Sequence, residues 1–259
     1  MEKTQSRDGT PLAHTRTGTG PALVLVSGAL STGATLAPLA AALSDRFEVL
    51  VYDRRGRGES GDTPPYAVDR EVEDLAALVG TLGDEACLYG ISSGGALALR
   101  AAASGLPVRR LAVYEVPYAM DDAAVAARAE YTGRLTQALR GGRRGDAVEL
   151  FLRLTGLGED VIGRARQSPM WAGLESVAPS LAYDDAVLGD GRPPREALAG
   201  ISVPVLALAG GAGTASMRAA AREIAETVPA GRYGELEGQS HMVEPGVLAP
   251  VLAEFFAGN

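Results

Sequence analysis

Five short apolar runs recur along the chain, at Ala22–Val26, Val49–Tyr52, Ala86–Tyr89, Leu111–Tyr114 and Val203–Leu208. None of them alternates with polar residues. Their length and β-branched content predict parallel strands buried on both faces. Arg232–Leu236 does alternate and predicts an edge strand. Between the runs the period changes to that of a helix. Leu36, Leu39, Ala40 and Leu43 share one face, as do Val68, Val72, Leu75, Val79 and Leu82. Ala96–Ala103 is a strong helix former that stops at Gly105, a glycine suited to the position just past a helix end. Met217, Ala221, Ile224 and Val228 form another stripe, and Val247, Leu248, Val251, Leu252 and Phe255 the last. Strands alternating with helices predict an α/β fold with a mostly parallel central sheet flanked by helices. Residues 10–18 predict an antiparallel opening between turns at Asp8-Gly9 and Gly18–Gly20, which places His14 on an edge strand.

One insertion breaks the rhythm. Between Tyr114 and Val203 the pattern is helical over 121–140 and 145–155, then irregular with helical pieces to 188. Gly189–Pro194 reads as a return linker. The stretch is too long for a simple crossover. The expected organisation is a core of residues 1–118 and 198–259, with 119–197 forming a helical lid over the carboxyl edge of the sheet. Open α/β sheets bind ligands at that edge.

Composition narrows the function classes. Apolar residues are 46% and charged residues 22%, values of an ordinary soluble globular protein. The net charge of −8 argues against nucleic acid or an anionic membrane as partner. The basic clusters Arg54–Arg57 and Arg140–Arg144 are flanked by glycine and read as solvated turns. No apolar run is long enough to span a bilayer, and the polar start has no signal-peptide core. The single cysteine, Cys87, lies in an apolar run and reads as a buried thiol. A cytoplasmic location is expected, with no metal and no cofactor, because no His/Cys/carboxylate cluster has ligand spacing. The oligomeric state is left open.

Candidate chemistry sits at Gly90-Ile91-Ser92-Ser93-Gly94, between an apolar run and an Ala-rich helix. This is the G-x-S-x-G spacing. A serine there occupies a sharp strand-to-helix turn that lifts its hydroxyl above the sheet, and the flanking glycines give the backbone room to turn. Ser93 as nucleophile would have glycines at the wrong offsets. The base must follow the nucleophile in chain order. Of the two histidines, only His241 does, on a loop before the last helix.

These pieces, together with Asp53-Arg54-Arg55-Gly56-Arg57-Gly58-Glu59-Ser60 and Gly238-Gln239-Ser240-His241, resemble the α/β-hydrolase superfamily. Its lid-bearing esterase, epoxide hydrolase and haloalkane dehalogenase branches are the most similar. The resemblance covers nearly the whole length. It implies that the arginine-rich turn is structural, and that the backbone N–H groups of Ala29 and Ser93 form an oxyanion hole. The family's His-Gly at the oxyanion loop is Ser27-Gly28 here. The most familiar acid position falls in Ala209–Met217, which has no Asp or Glu. Some members place the acid after the strand leading into the lid, where this chain offers Glu115. Asp121, Asp122, Asp184 and Asp185 are poorer choices, and a Ser92–His241 pair without an acid stays open.

Ser92 suits acyl transfer, whereas the epoxide hydrolase and dehalogenase branches use Asp as nucleophile. The residue directly after the nucleophile is Ser93 rather than Trp, and residue 29 is not the Asn that would hold a halide. The expectation is hydrolysis of an ester, lactone or thioester of a small hydrophobic substrate through an acyl-enzyme on Ser92. Leu30, Met170, Trp171 and Met242 are expected substrate contacts, with Phe151, Leu154, Leu174 and Tyr183 as further lid candidates, although core packing suits most lid residues better. Two rivals stand: a lyase or cyclase using the same pocket, and a ligand-binding pseudoenzyme.

Overall fold

The computed structural model describes residues 1–83 and 86–258, so Asp84, Glu85 and the terminal Asn259 of the expected core lie outside the described residues. Its sheet has eight strands in the order β1-β2-β4-β3-β5-β6-β7-β8. They are β1 (Glu2–Gln5), β2 (Pro11–Thr17), β3 (Ala22–Val26), β4 (Glu48–Tyr52), β5 (Ala86–Ile91), β6 (Val108–Tyr114), β7 (Val205–Gly210) and β8 (Gly231–Leu236). The pairs β1/β2 and β2/β4 are antiparallel and the others parallel. The apolar runs are the buried strands: every residue of β3 and β7 is buried. The alternating run forms β8 at one edge.

At the opposite edge the expectation for His14 is corrected. A polar strand, β1, covers β2, and Glu2 pairs with His14. His14 is therefore interior and buried, with Nε2 2.9 Å from Thr4 Oγ1.

Helices cover both faces. α2 (Val68–Gly80), α3 (Ser93–Ala103) and α10 (Ala215–Thr227) pack on one side, and α1 (Ala37–Leu43) and α11 (Pro245–Ala257) on the other. Gly105 follows α3 with φ +85°, the left-handed conformation that ends a helix without a Cβ clash. Cys87 is buried in β5, between β3 and β6.

Six helices lie between β6 and β7: α4 (Asp122–Arg140), α5 (Arg144–Leu154), α6 (Glu159–Arg166), α7 (Trp171–Val177), α8 (Leu181–Leu188) and α9 (Arg195–Ala199). The segment after 155 is more regular than expected, because helices of seven or eight residues are too short to show a clear period. The insertion has its own apolar cluster of Tyr131, Leu135, Val148, Trp171 and Leu181. No helix among the described residues is long and apolar enough to cross a membrane.

The Arg54–Arg57 turn is the main correction. It is not solvated: Arg54, Arg55 and Arg57 are all within 2% of full burial. Both arms of Arg54 clamp Glu71 at 2.8 Å, and both arms of Arg55 clamp Asp74 at 2.7 Å. Arg57 pairs with Asp184 of α8. Buried guanidinium groups persist only when such partners replace their water. Glu71 and Asp74 lie on the inward face of α2, beside Leu75 and Leu78.

Candidate active site

The chain leaves β3 toward β4 on one side, and β5 continues the sheet on the other. Such a reversal opens a crevice at the strands' carboxyl ends. The Gly28–Ser31 loop follows β3 and Ser92 follows β5, so both stand at that crevice. They touch: a Cβ built on Gly28 would lie 3.0 Å from Ser92 Cβ.

Ser92 caps α3 with φ 57° and ψ −129°. Its N–H donates to Tyr114 O at 2.9 Å, and its carbonyl accepts from Gly95 and Ala96. The turn admits no side chain at its glycines, since a Cβ at Gly90 would sit 2.5 Å from Gly94 O and one at Gly94 2.5 Å from Ser27 O. This is the physical reason for the G-x-S-x-G spacing. Ser93 begins α3, so its N–H has no intrahelical carbonyl to meet.

Among the described residues, three non-glycine residues have positive φ: Leu30 at 52°, Ser92 at 57° and Glu115 at 45°. All three lie just past the carboxyl ends of β3, β5 and β6. Such backbone costs free energy, and it concentrates where function over-determines geometry.

Glu115 follows β6 and is buried. Its N–H donates to Leu208 O at 2.9 Å. One carboxylate oxygen accepts the Gly210 N–H at 3.0 Å, and the other lies 2.8 Å from His241 Nδ1. A carboxylate can only accept, so Nδ1 donates, and in the neutral imidazole Nε2 is then the acceptor. The His241 loop is pinned from two sides. Tyr114 Oη donates to Ser240 O, and the Ala212 N–H donates to Gln239 O at 2.9 Å. The side chain of His241 is 44% exposed. Among the described residues the Ser92 hydroxyl has no side-chain hydrogen bond. Such bonds are often long without substrate and tighten in its complex.

A cavity of about 100 Å³ adjoins the crevice, lined by Ser27, Gly28, Tyr89, Ile91, His241 and Met242 among others. The buried hydroxyls of Ser27 and Tyr89 have no protein partner there. Of the other expected contacts, Leu30 packs against the insertion's cluster, and Trp171 is buried within it. Met170 is 73% exposed, and Met242 79%. Asp121 caps α4, Asp122 is exposed, and Asp185 pairs with Arg128, so none of them meets His241. Among the described residues no group of His, Cys, Asp and Glu is arranged to hold a metal.

A model of the Alpha/beta hydrolase family matches residues 23–250. The fold is similar to that of an alpha/beta hydrolase from Sphaerobacter thermophilus, with a TM-score of 0.91 and 51% identity over 99% of this chain and all of that one. The enol-lactonase from Burkholderia xenovorans is 25% identical over 99% of this chain and all of its own, with a TM-score of 0.72. The 2-(acetamidomethylene)succinate hydrolase of Mesorhizobium japonicum is 32% identical over 66% of this chain, and the match spans 64% of that protein. The N-formylmaleamate deformylase of Pseudomonas putida is 39% identical over 39% of each chain. The matches thus span less than two thirds of these last two relatives.

Proposed function

Because the chain belongs to the alpha/beta hydrolase family, we propose that it is a serine hydrolase whose triad is Ser92, His241 and Glu115. Its substrate class is an ester, lactone or thioester of a small hydrophobic compound. The observation that carries this reading is the 2.8 Å contact between Glu115 and His241 beside the Ser92 turn. Glu115 holds the imidazole in the tautomer whose Nε2 takes the Ser92 proton, and it stabilises the imidazolium that forms. Ser92 attacks the carbonyl, and the N–H groups of Ala29 and Ser93 receive the developing oxyanion. The intermediate collapses as His241 returns the proton to the leaving group. Water activated by His241 then cleaves the acyl-enzyme.

The cavity beside His241 is roomy enough to hold water against the Ser27 and Tyr89 hydroxyls. Cleavage of an acyl bond is what the names of the deformylase and the enol-lactonase describe. The insertion is the lid of this site, with Leu30 and Met242 at the substrate. Wild-type protein is expected to react with a fluorophosphonate at Ser92, and Ser92→Ala to lose both the labelling and the cleavage of short p-nitrophenyl esters. An unlabelled wild type would overturn this reading.

A further inference from the structure

Asp184 belongs to the insertion, yet it is 4% exposed and sits under the nucleophile turn. Its Oδ1 accepts three hydrogen bonds at 2.7 Å, from Arg54, Arg57 and the Ser93 hydroxyl. Its Oδ2 accepts a further one from Arg57 at 2.8 Å. The two arginines carry the contact onward. Arg54 reaches Ser27 O at 3.3 Å, and Arg57 reaches Gly28 O and, at 3.2 Å, Ser31 O.

The Gly28 contact has a stereochemical meaning. The Gly28 carbonyl and the Ala29 N–H belong to one peptide unit, which is planar and trans, so they point in opposite directions. A guanidinium fixed on Gly28 O therefore fixes the direction of the Ala29 N–H. The Ser31 hydroxyl donates to the same carbonyl at 2.6 Å, which leaves that peptide little freedom to rotate. The second donor, the Ser93 N–H, lies on a residue whose hydroxyl is held by the same carboxylate oxygen. We propose that Asp184 is a positioning residue for the oxyanion hole, tying both of its donors, through Arg57 and Ser93, to the helical insertion. The proposal rests on the serine-hydrolase reading above and assigns the insertion a part in catalysis besides covering the substrate.

The charge state fits. Burial alone would raise the Asp184 carboxyl, but the adjacent Arg57 and Arg54 charges and the Ser93 hydrogen bond hold it below its ordinary value. The group is thus an anion at neutral pH and holds both guanidiniums by charge-assisted bonds. Arg54 has a second carboxylate in Glu71, whereas the only carboxylate within ion-pair reach of Arg57 among the described residues is Asp184. Loss of its charge frees Arg57 first, and with it the Gly28–Ala29 peptide.

The test uses Asp184→Asn and Ser93→Ala with p-nitrophenyl acetate as substrate and diisopropyl fluorophosphate as label. The final extent of labelling counts competent serines, and the labelling rate reports stabilisation of the oxyanion. Asp184→Asn is expected to lower kcat per labelled serine by about 10- to 100-fold, as a displacement of catalytic groups of about 1 Å does. KM should stay within about threefold, since the donors act on the transition state. The labelling rate should fall with kcat. Ser93→Ala keeps the backbone N–H and frees only one tie, so a fall of about 3- to 10-fold is expected. A residue that merely stabilised the fold would reduce the labelled fraction and leave the rate per labelled serine alone. Rates per labelled serine within twofold of wild type in Asp184→Asn would overturn the proposal, and if that variant does not fold, the same result in Ser93→Ala would. A wild type that does not label at all removes the hydrolase reading itself, a different result.

Discussion

Glu115 Oε2 lies 2.8 Å from His241 Nδ1, although 126 residues separate the two in the chain. The contact joins the end of β6 to the loop after β8, with β7 between them. Replacing the carboxylate by an amide keeps the shape but turns one oxygen into a donor: with the remaining oxygen held by the Gly210 N–H, the NH2 faces Nδ1 and favours the wrong tautomer. Glu115→Gln is therefore expected to reduce kcat by about 10⁴-fold while the folded circular dichroism spectrum is retained. A near-normal kcat would take Glu115 out of the mechanism.

Gly213 leaves room for the Glu115 carboxylate. A Cβ at this position would overlap the Glu115 carboxylate. The loop after β7 carries no Asp or Glu, and the Glu115 side chain, from just past β6, fills the space beside it and accepts the Gly210 N–H. Gly213→Ala has ordinary backbone geometry to adopt, so its main effect is to push the carboxylate off His241. The expected result is a loss of kcat of about 10²-fold or more with little change in thermal midpoint. An active Gly213→Ala enzyme would show that the carboxylate can shift without consequence.

The buried arginines make a stability prediction. Glu71 accepts both arms of Arg54 at 2.8 Å and the Tyr66 hydroxyl at 2.8 Å. In Glu71→Gln, Arg54 and Arg57 share the single carboxylate of Asp184. Leaving buried charge under-compensated costs about 3–5 kcal/mol, so the urea midpoint should fall sharply. A midpoint unchanged within error would mean that the network is hydrated.

His14 supplies a pH dependence. Burial lowers its pKa below the ordinary 6.5, with Glu2 opposing and Arg16 assisting. The folded state then holds His14 neutral where the unfolded chain takes up a proton. Stability from this group is complete above about pH 6.5 and is lost as the pH falls from there toward the lower folded value. The thermal midpoint should drop between pH 7.5 and 5.5, and His14→Gln should lose part of that drop. Equal drops in both proteins would exclude His14 as the cause.

Much of the fold was legible because strands buried on both faces must be apolar runs: Ala22–Val26 is β3, and Val203–Leu208 overlaps β7, which begins and ends two residues later. His14 was misplaced because nothing in its own strand tells that the polar Glu2–Gln5 will pair beside it. Arg54, Arg55 and Arg57 looked solvated because burial of a charge is decided by its partners. Those partners, Glu71, Asp74 and Asp184, are distant in sequence. A hint existed in the two carboxylates at Glu71 and Asp74, which sit three apart beside the apolar stripe of a helix. Ser92 and His241 could be singled out from turn chemistry and chain order, and Glu115 from the alternative acid position that the family resemblance implies. The left-handed backbone of Leu30 and Glu115 could not, since neither residue type favours it.

Cys87 lies in the middle of the sheet, on the strand that leads to Ser92. Its thiol is pushed up to about 11 by burial, so it is neither accessible nor ionised at neutral pH. An alkylating reagent can reach it only after the layer of α1 and α11 packed on its face of the sheet opens. The rate of thiol modification is thus a clock for opening of that layer, wound independently of catalysis and readable in any serine variant.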